Sequence, residues 1–158
     1  MTEAVSRASM IPLPPLIYLI ALIAGVLLGV FVPLPWLVGL LGEILVAVGW
    51  IGILGAAALW FSAIRAMRRV GTTLNPNGTP AHLLTGGAFG VSRNPLYLGN
   101  TLLLVGISLI TGNVWTLLMA VVAALLTQKL VIEREERVLA QQFGKKYRDY
   151  AKRVRRWI

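Results

Sequence analysis

Seven polar residues in the second half of the chain have types and spacings suited to chemistry: Arg93, Asn94, Tyr97, Glu133, Glu135, Glu136 and Tyr147. The stretch Ser92-Arg93-Asn94-Pro95-Leu96-Tyr97-Leu98-Gly99 puts a cation, an amide, a rigid proline, a phenol and a glycine into a short polar-to-apolar junction. An arginine facing carboxylates can be an ion pair that ties two helix feet together. It can equally be half of a site for a zwitterion, with Arg or backbone N–H taking a carboxylate and Glu taking an ammonium. The residues alone leave both readings open.

Composition removes most other chemistry. There is no Cys, which excludes disulfides, thiolate metal sites and Cys nucleophiles. A single His, His82, excludes a multi-His metal centre and stands in no nucleophile motif. Neither a GxxxxGK[ST] loop nor a GxGxxG turn after a strand is present. Thr85-Gly86-Gly87-Ala88-Phe89-Gly90 is glycine-rich, which lets backbone approach a ligand but is also what a flexible connector looks like.

The elements that must position these residues are membrane helices. The chain has 158 residues, 57% apolar and 13% charged, with net charge +9. Soluble domains carry about 25% charged residues. Leu16 to Val32 is the expected first span, and Trp36 to about Ile64 the second. Pro95 opens a third helix to about Ile110, and Gly112-Asn113 turns into a fourth over Val114 to about Val131. The third and fourth form a hairpin that brings Arg93 level with the Glu133–Glu136 cluster. Beyond Glu133, Leu139, Phe143, Tyr147, Tyr150, Val154 and Trp157 keep an amphipathic helical spacing, kinked at Gly144, that reads as a helix on the membrane surface. The expected fold is therefore all-α and polytopic: about four transmembrane helices, a helical hairpin and a cytosolic amphipathic C-terminal helix. It forms one domain over 1–158, with two membrane helices in 1–70 and a loop, hairpin and C-terminal helix in 71–158.

Small residues have a structural role in this reading. Gly42, Gly49, Ala56 and Ala63 recur every seven residues and suit close helix packing. Gly25 and Gly29 form a GxxxG pair that serves either a neighbouring helix of the same chain or a homo-oligomer. Glu43, seven residues after Trp36, reads as an interfacial carboxylate that reaches water rather than as a chemical group. The N-terminal apolar run shows no small-residue cleavage site and is read as retained. The Pro33–Pro35 and Thr111–Asn113 turns carry no Lys or Arg, and ten of the fifteen basic residues lie from Lys129 onward. The charge bias places both termini, and the Gly71–Asn94 loop, in the cytoplasm. It also favours anionic lipid headgroups over nucleic acid as the partner of the basic patch.

Leu84-Thr85-Gly86-Gly87-Ala88-Phe89, Arg93-Asn94-Pro95-Leu96-Tyr97-Leu98-Gly99, Glu135-Glu136-Arg137-Val138-Leu139, Phe143-Gly144, Tyr147, Tyr150, Val154, Arg156 and Trp157 stand in an order that resembles one family. It is the integral-membrane methyltransferases typified by isoprenylcysteine carboxyl methyltransferases, with phospholipid methyltransferases as relatives. The resemblance covers about the last half of the chain. It implies S-adenosylmethionine held on the cytosolic side, between loop, hairpin base and C-terminal helix. By that analogy Leu84, Gly87, Phe89, Asn94, Tyr97, Leu98, Gly99, Glu135, Glu136 and Tyr147 bind the cofactor, and Arg93 and Glu136 are catalytic, with no metal. Many members have His where Asn94 stands. Asn keeps the hydrogen bonds but cannot titrate near neutrality.

The expected activity is methyl transfer to a lipophilic acceptor, carboxylate or amine, drawn from the bilayer. The sulfonium methyl is already activated, so the reaction needs alignment more than a strong catalyst. Arg93 would orient a carboxylate; Glu136 would help an amine lose its proton. Two readings compete. An NADPH-dependent membrane reductase of related architecture would bind NADPH more tightly than the methyl donor. A non-catalytic membrane interaction protein would tolerate substitution of Tyr97 or Glu136.

Overall fold

The computed structural model describes residues 14–70 and 82–158. The Met1–Pro15 lead up to residue 13 and the Asn75-Pro76-Asn77-Gly78 turn lie outside the described residues. Among the described residues every regular element is helical. α1 spans Pro14–Phe31, α2 Leu40–Arg69, α3 Ala88–Val91, α4 Pro95–Thr111 and α5 Val114–Thr127. A π-helical turn, Gln128–Ile132, leads directly into α6, Glu133–Phe143, and α7 follows over Lys145–Arg153.

Three helical stretches are long and apolar enough to cross a membrane: Pro14–Phe31, Leu40–Arg69 and the continuous run Val114–Phe143. α4, the shorter apolar helix, packs along α2, and α1 packs along α5. Both seams depend on small residues. A Cβ on Gly106 would come within 2.7 Å of the Gly49 carbonyl and of Ile53. Gly49, Ala56 and Ala63 are buried along this seam, as their sevenfold spacing predicts, whereas Gly42 lies at the end of α2 near the Leu37 carbonyl. Gly25 faces the Thr116 backbone and Gly29 faces the Asn113 side chain. The GxxxG pair is thus covered within the chain.

The connections join the bundle at its two ends. At one end the Trp36 ring lies over Gly112, and the Trp115 indole donates to the Val32 carbonyl at 2.7 Å. Trp36 was expected inside the second helix. It stands in the turn instead, because α2 starts only at Leu40, and Glu43 is exposed in its first turn. Asn113 caps α5: its Oδ1 accepts from Trp115 and Thr116 N–H, and its Nδ2 donates to the Gly25 carbonyl at 3.2 Å. Asn113→Ala removes a cap and an interhelical bond together. It is expected to cost about 1–2 kcal/mol, read as a lower unfolding midpoint in detergent.

At the other end α2 runs five residues past the expected Ile64. Ser62 Oγ accepts from Ala88 N–H at 3.1 Å, and the Trp60 indole donates to the Leu96 carbonyl at 3.2 Å. These bonds fix the polar junction before α4 against the basic end of α2. Apolar side chains cover the outside of the bundle, including Ile51 at 69% and Phe61 at 68% exposure, as lipid contact requires.

The C-terminal segment is helical on both sides of Gly144, as its spacing predicts, but its boundary with the fourth helix differs. The fourth helix does not stop near Val131: its hydrogen bonding widens into the π turn and continues to Phe143. Gly144, at φ 52, then breaks the helix before α7. Tyr147 and Tyr150 of α7 are buried against protein. Within the aromatic stripe these two tyrosines are packing, and the Tyr150 hydroxyl donates to the Phe89 carbonyl at 2.6 Å.

Candidate functional site

Four segments meet at the foot of the α4–α5 hairpin: residues 92–94, the first turn of α6, Tyr147 of α7, and the chain end. Pro95 starts α4 with φ already set for a helix, so Arg93 and Asn94 are held just before it. Arg93 Nη2 lies 3.3 Å from Glu136 Oε1, and Nη1 donates to the Tyr147 hydroxyl at 3.2 Å. Its backbone N–H donates to the Arg155 carbonyl at 3.0 Å. Its Nε is buried with no partner among the described residues. The expected meeting of Arg93 with the Glu cluster is present.

Glu136 is doubly compensated. Arg156 reaches both carboxylate oxygens, with Nε to Oε1 at 3.1 Å and Nη2 to Oε2 at 2.7 Å. This fork raises the Arg156 pKa above its ordinary value through the hydrogen bond to Glu136. Glu133 pairs with exposed Lys129. Glu135 differs: its Oε1 accepts from the Tyr97 hydroxyl at 2.8 Å, and no cation pairs with it among the described residues. The Tyr97 carbonyl in turn accepts from Thr101 Oγ1 at 3.0 Å and from Tyr18 of α1 at 3.3 Å.

Other expected cofactor residues fall around this corner in different roles. Gly87 starts α3 with φ 60, and a Cβ there would sit 3.2 Å from Ser62 Oγ. Phe89 offers its carbonyl to Tyr150. The Asn94 amide donates to the Arg156 carbonyl at 3.0 Å, so its side chain is committed to holding the chain end. Leu98 is buried in protein. Gly99 faces the Trp60 indole, which a Cβ would approach to 2.5 Å. Leu84 is half-buried on the segment that leads into α3.

A cleft of about 600 Å³ opens between that segment and α7, lined by His82, Leu83, Thr85, Phe143, Lys146, Asp149 and Arg153. None of Arg93, Tyr97, Glu135, Glu136 and Tyr147 lines it; the chain connects the cleft to the corner through the 82–94 segment and through α7. Sequence reasoning did not assign His82, Leu83, Lys146, Asp149 or Arg153 to a site. Lys146, Asp149 and Arg153 recur at helical spacing on a face of α7 distinct from the tyrosines, and that face was the legible signal.

Burial raises the pKa of both tyrosines of α7: Tyr147 rises despite Arg93, and Tyr150 is pushed up to about 12. Both are therefore neutral at physiological pH, Tyr147 accepting from Arg93 and Tyr150 donating to the Phe89 carbonyl. For Tyr150 the folded state retains its proton above the ordinary value of 10.0. Stability tied to this group is complete below pH 10 and falls as pH rises toward 12. An unfolding midpoint measured across that range is expected to fall less steeply in Tyr150→Phe.

Apolar crossing helices and a buried Arg–Glu–Tyr corner beside a polar cleft define a helical membrane protein with a ligand-sized site at one end of its bundle. The family model described as phospholipid methyltransferase matches residues 44–146. The chain belongs to that family of membrane methyltransferases. An uncharacterized protein of Haemophilus influenzae is similar, at 36% identity over 63 residues, covering 40% of this chain and 100% of that protein. No solved structure matches the chain.

Proposed function

We propose that the protein transfers a methyl group from S-adenosylmethionine to an amine-bearing phospholipid at the cytosolic membrane face. One observation carries the choice of acceptor. Glu136 is neutralised by two guanidiniums, while Glu135 keeps only a phenol and so can attract an ammonium headgroup. A carboxylate acceptor is disfavoured: Arg93 is engaged by Glu136 and Tyr147, and Glu135 would repel a second anion.

The residues present fit the donor. A cleft of about 600 Å³ lies within the range usual for small-molecule sites. Lys146 and Arg153 suit a carboxylate, Asp149 an ammonium and Phe143 a heterocycle. The orphaned Arg93 Nε is a buried donor that a ligand oxygen or nitrogen would satisfy. When bound, S-adenosylmethionine supplies an electrophilic methyl on sulfur. The chain's own part is to align the acceptor, exclude water and take a proton from its ammonium. We assign that last role to Glu135, whose carboxylate accepts from the Tyr97 hydroxyl. This replaces Glu136 as the favoured base, because Glu136 is held by Arg93 and Arg156.

Two features support the cytosolic assignment. The basic end of α2 and the basic C-terminal stretch share the end of the bundle that carries the corner. The uncharged Pro33–Pro35 and Thr111–Asn113 turns meet at the other end. The whole of 1–158 is then one domain, multi-pass, with both termini cytoplasmic and lipids as its partners.

Titration calorimetry of the folded protein in detergent tests the donor assignment. Binding of S-adenosylmethionine and S-adenosylhomocysteine, with weaker NADPH binding, is expected. Tighter NADPH binding would favour a reductase, and no binding of either ligand would end the proposal.

A further inference from the structure

The last residues of the chain form a strap that lies beyond the family-matched stretch 44–146. After α7 the backbone becomes extended at Val154 and crosses back to the hairpin foot. The Arg155 carbonyl accepts from Arg93 N–H at 3.0 Å. The Arg156 carbonyl accepts from Ser92 Oγ at 3.1 Å and from Asn94 Nδ2 at 3.0 Å. The Arg156 guanidinium grips both oxygens of Glu136, and the Trp157 indole donates to Gln128 Oε1 at 2.8 Å in the π turn. Three consecutive residues therefore tie the start of α4 to the π turn and to α6.

Resting on the donor reading above, we propose that Arg156 is a positioning residue for methyl-donor binding and that the strap sets the state of Arg93. The reason is competition for Glu136. Arg93 Nη2 shares Oε1 with Arg156 Nε, while Oε2 is held by Arg156 alone. In this arrangement Arg93 touches Glu136 at a single point, and among the described residues its buried Nε has no partner. Without the Arg156 fork, the Glu136 carboxylate can turn both oxygens to Arg93, since paired N–H bonds to a carboxylate are the preferred arginine geometry. The free donor would then be spent inside the protein. Arg156 thus keeps this buried donor uncommitted to Glu136, available to the methyl donor on the reading above. Ser92 and Asn94 hold the same residue by its carbonyl.

Arg156→Ala and Arg156→Lys in the full-length protein, compared with wild type, test this. Donor affinity in Arg156→Ala is expected to fall by about tenfold or more, as misplacement of a positioning group produces, while KM for the amine lipid changes little. Arg156→Lys restores part of the loss, and Arg156→Ala adds little to Glu136→Gln, because both act through one carboxylate. Donor affinity equal to wild type in a folded Arg156→Ala protein would overturn the proposal. If Arg156→Ala does not fold, Arg156→Gln serves the same comparison with the same outcomes. Hydrogen exchange at the Arg93 amide gives a readout independent of the donor: the strap predicts faster exchange in the variants, and unchanged protection overturns it. Absence of donor binding in wild type would instead overturn the donor reading and leave the exchange result to decide the strap.

Discussion

Arg93→Ala is expected to lower methyl transfer by about a hundredfold or more, the scale seen when a preorganised donor is removed. Arg93 joins Glu136, Tyr147 and the Arg155 carbonyl, and its Nε is the unpartnered donor of the corner. Truncation at Cβ removes the first two contacts and the free donor but spares the backbone bond. Glu136 keeps its Arg156 fork, so the helix foot retains much of its electrostatic compensation. Loss of activity should therefore exceed loss of stability. Arg93→Lys keeps the charge but not the planar fork. It is expected to bind donor more weakly than wild type while unfolding at nearly the same midpoint. Calorimetry and thermal unfolding on the same preparations separate the two effects.

Gly106→Val is expected to have the largest effect on stability. A Cβ there meets the Gly49 carbonyl and Ile53 Cγ1, both at 2.7 Å, so the branched side chain must push α4 off α2. Overpacking usually costs about 1–3 kcal/mol and occasionally more. Here the obstacle includes backbone, which cannot rotate away, and the cost belongs at the upper end or beyond. Because α2 carries Ser62 and Trp60, which fix the 88–96 junction, cofactor binding should fall with the packing. Gly55 lies on α2, the helix that Gly106 packs against, with nothing within 4 Å of its Cβ position among the described residues. Gly55→Ala is expected to change stability by less than about 0.5 kcal/mol, which makes it the matched control. Unfolding in detergent distinguishes the two substitutions.

The bundle was legible because a bilayer leaves few solutions: apolar runs near twenty residues, uncharged turns and basic ends are direct consequences of burying backbone in lipid. The meeting of Arg93 with Glu136 followed from hairpin geometry. Other features depend on tertiary contacts that local pattern does not encode. Trp36 looked like a helix start but is held over Gly112, a partner far along the chain. The π turn at Gln128–Ile132 has no distinctive composition, since hydrogen-bond widening responds to packing rather than to residue type. Gly99 and Asn94 looked like ligand contacts, yet their nearest visible partners are Trp60 and Arg156. Glycine and asparagine serve close packing and ligand approach equally well, so spacing could not assign them. The division of labour between Glu135 and Glu136 was hidden for a similar reason. Adjacent carboxylates on one helix point in different directions, and only the fold says which meets the guanidiniums.

Methyl transfer to an amine on a phospholipid is tested most directly with the protein in lipid nanodiscs containing an amine-bearing phospholipid, with S-adenosylmethionine labelled in the methyl group, followed by lipid extraction. Label is expected on the headgroup nitrogen, lost in Glu135→Gln and in Arg93→Ala. Label on a carboxylate instead, or none on lipid from a folded protein that binds the donor, would contradict it.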